Sequence, residues 1–132
     1  KEAGYLIVVV TNQAGISKGL YTREQMHACH AYVQEAVHGA IDAFYYCPYH
    51  PSLSNSLARK PGTLMLEKAI TRFDIDTGVS WMVGDAERDI ESGNAMGLTT
   101  IRISEDPNIE TQAPYRATDL KGATATILSD CM

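Results

Sequence analysis

The absences in this 132-residue sequence narrow the field before any motif does. No apolar run approaches the ~18–20 residues that a helix needs to cross a bilayer, which argues against a membrane role. There is no excess of positive charge: 11 Lys and Arg face 16 Asp and Glu, a net charge of -5, and the cations are spread along the chain. A nucleic-acid binder usually carries a basic stripe, so that class is disfavoured. Cysteine is scarce, and Cys29, Cys47 and Cys131 form an odd, widely spaced set. Such a set suggests free thiols in a reducing compartment, the cytoplasm by default. No repeat, low-complexity tract or linker interrupts the chain. A single domain over residues 1–132 is therefore expected, large enough to bury about two-thirds of its unfolded surface.

What is present alternates between strand and helix patterns. Residues 6–11 are an apolar, β-branched run of the kind buried on both faces of a parallel sheet. Thr22 and Gln25 make a capping box for a helix over about 23–38, stopped by Gly39, with Met26, Cys29, Val33, Ala36, Val37 and Ala40 as its expected buried stripe. A strand over 43–47 leads into a Pro, Ser and Asn-rich loop over 48–58. Thr63 is positioned to cap a helix with Leu66, Ala69, Ile70 and Phe73 inward. A strand over 79–83, a helix from about Glu87 to Met96, a strand over 99–103, a polar loop over 104–115 and a final short strand and helix complete the pattern. This alternation predicts an α/β protein, a Rossmann-like parallel sheet with helices on both faces, whose ligands bind at the carboxyl ends of the strands.

Three motifs lie near such ends. In Thr11-Asn12-Gln13-Ala14-Gly15-Ile16 a hydroxyl and a turn of backbone amides can face a phosphate oxygen, although the string alone reads equally well as an ordinary turn. Lys18-Gly19 adds a cation and a flexible joint just beyond it. In Arg59-Lys60-Pro61 the proline restricts Lys60 to an extended conformation, so a point charge suited to a phosphoryl group is held in place. Alone, the pair reads as solvated cations. Gly84-Asp85-x-x-x-Asp89 places two carboxylates one helical turn apart at a helix N-terminus, and hard oxygen ligands beside phosphate suggest Mg²⁺. The plainer alternative makes Asp85 an N-cap and Asp89 a partner of the helix dipole. The histidines of the first helix, His27, His30 and His38, are assigned no role.

Together these residues resemble the haloacid-dehalogenase superfamily, and within it the heptose-bisphosphate and histidinol-phosphate phosphatase group, over roughly residues 4–103. The resemblance implies that Thr11 binds the transferring phosphate and Lys60 neutralises it, that Asp85 ligates Mg²⁺ with the support of Asp89, and that Asn12, Gln13 and Arg59 contact the substrate. It implies a hydrolase working on a small phosphosugar through an aspartyl-phosphate, with no nucleic-acid or membrane partner, and a monomer when complete. Histidinol-phosphatase, polynucleotide 3′-phosphatase and a non-catalytic phosphate-binding relative remain the alternatives.

Two departures stand out. The family's Asp-x-Asp, which supplies nucleophile and general acid/base, is absent, so a first strand outside the given sequence is expected between the strands ending at Thr11 and Asp85. Those two strands should then not pair directly. The group's zinc loop is also eroded: Cys47 remains, but Tyr49, Ser56 and Ala58 replace other ligands, and Cys47 with His50 gives at most two where structural zinc takes four. No zinc is expected, with Cys47 a small buried residue.

Overall fold

The computed structural model describes residues 1, 3–12, 22–47 and 63–130. The chain divides into two compact units, Lys1–Arg59 and Lys60–Met132.

In the first unit β1 (Val8–Asn12) pairs in parallel with β2 (Ala43–Cys47), in a register running from Val8 opposite Ala43 to Asn12 opposite Cys47. The strands are joined through α1 (Arg23–Ala36), as a parallel connection requires. The expected capping box is present: the Gln25 amide donates to Thr22 Oγ1 at 3.1 Å and the Thr22 amide to Gln25 Oε1 at 2.8 Å. The helix ends two residues before the expected His38. His38 (φ 56°) and Gly39 (φ 74°) both turn left-handed, and the Gly39 amide closes the end on the Gln34 carbonyl at 2.8 Å.

The apolar stripe expected on α1 is mostly exposed: Met26 is buried, while Cys29, Val33, Ala36 and Val37 face solvent. The helix instead meets β2 through rings and one amide. His30 stacks on Phe44 with centroids 4.5 Å apart, and His27 meets Tyr46 edge-on at 5.6 Å. Gln34 clasps the backbone of Ile41 twice, its Nε2 donating to the carbonyl at 2.5 Å and its Oε1 accepting from the amide at 3.0 Å. The face of α1 turned to β2 therefore carries His27 and His30 in place of the valines. β1 is likewise half-buried, and Leu6, expected in the strand, precedes it and is 49% exposed.

In the second unit α2 (Leu64–Phe73) buries Met65, Leu66 and Ala69 and half-buries Ile70 and Phe73. Thr63 occupies the cap position without capping. Its hydroxyl donates to Glu67 at 3.3 Å, and its backbone lies away from the extended geometry that side-chain capping uses. A 3₁₀ turn at Thr77–Val79 leaves Val79 67% exposed, so β3 starts at Trp81 rather than at Val79.

β3 (Trp81–Gly84), β4 (Thr99–Ile103) and β5 (Tyr115–Ala117) form a parallel sheet in that order. α3 (Glu87–Ala95) connects β3 to β4 and α4 (Leu120–Asp130) follows β5. The core lies between α3 and this sheet, where Ile90, Ser92, Thr100 and Ile101 are fully buried. A Cβ on Gly93 would fall 2.6 Å from Thr100 Cγ2 and 2.8 Å from Met82 Cβ, so α3 rests its backbone directly on β3 and β4. β1 and β3 belong to different sheets and do not pair.

Burial, and then the adjacent His27, hold the His30 imidazole below its ordinary pKa of 6.5. The unfolded chain therefore binds the proton more readily. The stability His30 contributes is complete above about pH 6.5 and lost as pH falls through the lowered folded value. His30→Phe keeps a ring on Phe44 and removes the proton site. The drop in urea midpoint between pH 7.5 and pH 5.5 should accordingly be smaller in the variant than in the parent, whereas equal drops would take His30 out of the helix contact.

Candidate active site

Of the expected site residues that the structure describes, Thr11, Asn12 and Asp85 fall at strand ends. Thr11, half-buried, and Asn12 are the last two residues of β1. Gln13, Arg59 and Lys60 lie outside the described residues, as do His50 and the side chain of Cys47. Asp85 and Asp89 flank the β3–α3 turn of the second unit.

That turn differs from the expected helix face. β3 ends at Gly84, Asp85 follows, and Ala86 is the N-cap with extended backbone (φ -123°, ψ 147°). Asp85 thus stands before the helix, neither inside its first turn nor capping it. Its carboxylate is exposed, and among the described residues it makes no hydrogen bond or ion pair.

Asp89 is the opposite case. At 5% exposure it is the third helical residue, and its Oδ2 turns back to accept from the Ala86 amide at 3.4 Å. It lies so close to Gly84 that a Cβ there would sit 2.5 Å from Asp89 Oδ2 and 2.7 Å from its Cγ. Gly84 is therefore required for contact rather than for its backbone angle.

A third acid, Glu87, was not singled out by the motifs. Its Oε1 accepts from Arg102 Nη1 of β4 at 2.8 Å and its Oε2 from the Gln112 amide at 2.7 Å, and the Thr111 side chain also bonds to it. Partial burial pushes the Glu87 carboxyl up, but the bonds from Thr111, Gln112 and Arg102, with the Arg102 charge, outweigh this and hold it below the usual carboxylate range. The signal available in the sequence was Arg102, a cation inside an otherwise uncharged strand, which has to find an anion.

The donor set fits a hard divalent ion. Mg²⁺ commonly takes one or two protein carboxylates and completes its octahedron with water and phosphate oxygens, and Asp85 offers an exposed carboxylate with no ion pair among the described residues. Among the described residues no three His, Cys, Asp or Glu side chains gather into a group that could hold a metal ion. No helix among them is long and apolar enough to cross a membrane.

Comparison with known proteins identifies the family. The HAD-hydrolase-like family profile matches residues 57–125, a span that includes the β3–α3 turn, and the chain belongs to that family. Its relatives narrow the likeness further. It is 40% identical over 115 residues to a D-glycero-alpha-D-manno-heptose-1,7-bisphosphate 7-phosphatase of Burkholderia mallei (strain ATCC 23344), covering 80% of this chain and 61% of that one. It is 35% identical over 124 residues to D-glycero-D-manno-heptose-1,7-bisphosphate 7-phosphatase of Chlorobaculum tepidum, covering 83% and 62%. The chain thus spans about three-fifths of the length of these two curated relatives. The crystal structure of D,D-heptose 1.7-bisphosphate phosphatase from B. bronchiseptica, complexed with magnesium and phosphate, superposes with a TM-score of 0.85 at 24% identity, over 98% of this chain and 77% of that one, a likeness of fold.

Gly84→Ala tests the cradle. The nearest atom to the new methyl is the Cβ of Asp89, which cannot swing aside without moving α3. A loss of about 1–3 kcal/mol is expected in urea unfolding of the full-length protein, in the range of overpacking. An unchanged midpoint would mean that Asp89 does not occupy this contact.

Proposed function

We propose that the whole protein is a Mg²⁺-dependent phosphoric monoester hydrolase of the HAD-hydrolase-like family, acting in the cytoplasm as a monomer on a small phosphosugar resembling heptose bisphosphate. The observation that carries this reading is the Asp85 turn: an exposed carboxylate directly after a parallel strand, with Asp89 and Glu87 holding the backbone on either side. The names of the relatives support the substrate class.

On this reading residues 1–132 are a single domain, and Thr11, Asn12, Gln13, Arg59, Lys60, Asp85 and Asp89 keep the roles that the resemblance implies. Thr11 donates its hydroxyl to a phosphate oxygen. Lys60 balances the charge that builds on the transferring group, while Asn12, Gln13 and Arg59 bind the rest of the substrate. Asp85 would ligate Mg²⁺ and Asp89 keeps the turn in shape. The ion, when bound, supplies electrostatic stabilisation of the phosphoryl oxygens. The nucleophile is an aspartate carried outside these 132 residues. Its carboxylate attacks phosphorus, the sugar oxygen leaves with a proton, and water then hydrolyses the aspartyl-phosphate, which divides one difficult displacement into two easier ones.

In the full-length protein Asp85→Asn should abolish Mg²⁺-dependent phosphate release from heptose bisphosphate while the circular dichroism spectrum stays unchanged. Normal turnover in that variant would remove Asp85 from the metal site. Lys60→Ala should lower turnover on the order of 10²–10³-fold, the loss typical of an uncompensated developing charge. A change confined to thermal stability would return Lys60 to a solvated loop. An open reading frame upstream of Lys1 without Asp-x-Asp would favour the non-catalytic alternative.

A further inference from the structure

The turn that presents Asp85 is fastened at two points. On one side Asp89 fills the cradle over Gly84 and accepts from the Ala86 amide. On the other Glu87, two residues beyond Asp85, reaches 15 residues along the chain to Arg102 and 25 residues along to Gln112. A glutamate at the first position of a helix can satisfy the dipole while remaining in water, so a reach to two distant elements needs another explanation. We propose that Glu87 is a positioning residue: by grasping β4 and the loop over 104–114 together, it fixes the backbone that aims the Asp85 carboxylate at the metal. The proposal rests on the reading of Asp85 given above.

The energetics favour a rigid anchor. The Arg102 side chain is 11% exposed, against 31% for Glu87, so the pair is drier than a surface ion pair. Arg102 Nε is buried and has no hydrogen-bond partner among the described residues. Without Glu87 the guanidinium would keep its charge in a poorly hydrated place, and the surrounding backbone would have to move to bring in water or another anion. The Gln112 amide would lose its acceptor in the same event. Both contacts converge on Glu87, two residues from Asp85 along the chain. Glu87 touches neither metal nor substrate on this account and acts through the placement of Asp85.

Isothermal titration calorimetry of the full-length protein with magnesium chloride alone reads this directly, with melting temperature followed in parallel. Glu87→Ala and Arg102→Met should each weaken Mg²⁺ binding about tenfold, the low end of what is lost when a supporting partner of a metal ligand is removed. Because the two substitutions break one shared contact, the double variant should be close to either single one. Glu87→Gln keeps one acceptor oxygen but turns an NH2 group toward the other donor, so it should weaken Mg²⁺ binding less than Glu87→Ala. Unchanged Mg²⁺ affinity in Glu87→Ala and Arg102→Met, with a lower melting temperature, would overturn the proposal and leave a stability latch. If Glu87→Ala does not fold, Arg102→Met decides in the same way. Parental Mg²⁺ affinity in Asp85→Asn would sink the metal reading itself, and this proposal with it.

Discussion

The absence of a side chain at Gly93 is the constraint on which the second unit depends. Any methyl there would strike Thr100 and Met82, so only glycine lets the helix backbone settle onto the two strands. That close approach closes the space in which Ile90, Ser92, Thr100 and Ile101 lose all contact with water. The polar members of this set are satisfied locally: Ser92 Oγ donates to the Asp89 carbonyl at 3.0 Å and Thr100 Oγ1 to Asn94 Oδ1 at 2.8 Å. Once α3 is seated, its N-terminus can stand in only one place relative to the end of β3. The position of Asp85 is thus set by packing on the far side of the helix as well as by the acids beside it.

Those acids show how one short stretch separates three carboxylates by environment. Asp85 is in solvent, Glu87 is half-buried against a guanidinium, and Asp89 is folded back on the turn. Three negative charges within five residues repel one another, and the positive end of α3 together with Arg102 offsets part of that cost. The two acids engaged in structure leave the third available for chemistry.

Much of this was legible in the sequence where local rules decide. Thr22 with Gln25 announced α1, and β2 and β4 cover the spans expected of them residue for residue. The misreadings arise where the partner decides. Val33 and Val37 make a sound apolar stripe on paper, but the rings of Phe44 and Tyr46 select His27 and His30 instead. The spacing of Asp85 and Asp89 suggested one helix face because spacing alone does not say where the helix begins, and the extended Ala86 puts Asp85 outside it. Glu87 escaped notice because its partners lie far along the chain, and pairing at such separation leaves no periodic trace.

The register of β4 and β5 has a consequence for solubility. Arg102 lies directly opposite Arg116, and repulsion between neighbouring strands is avoided because Arg102 turns to Glu87 while Arg116 bonds to the carbonyls of Pro107 and Ile109. β5, an edge of this sheet among the described residues, is only three residues long, carries a charge at its centre and is tied to the preceding loop through Arg116. A strand so brief and so occupied is a poor template for a passing chain, and this border of the sheet is guarded against the edge-to-edge stacking that seeds aggregates.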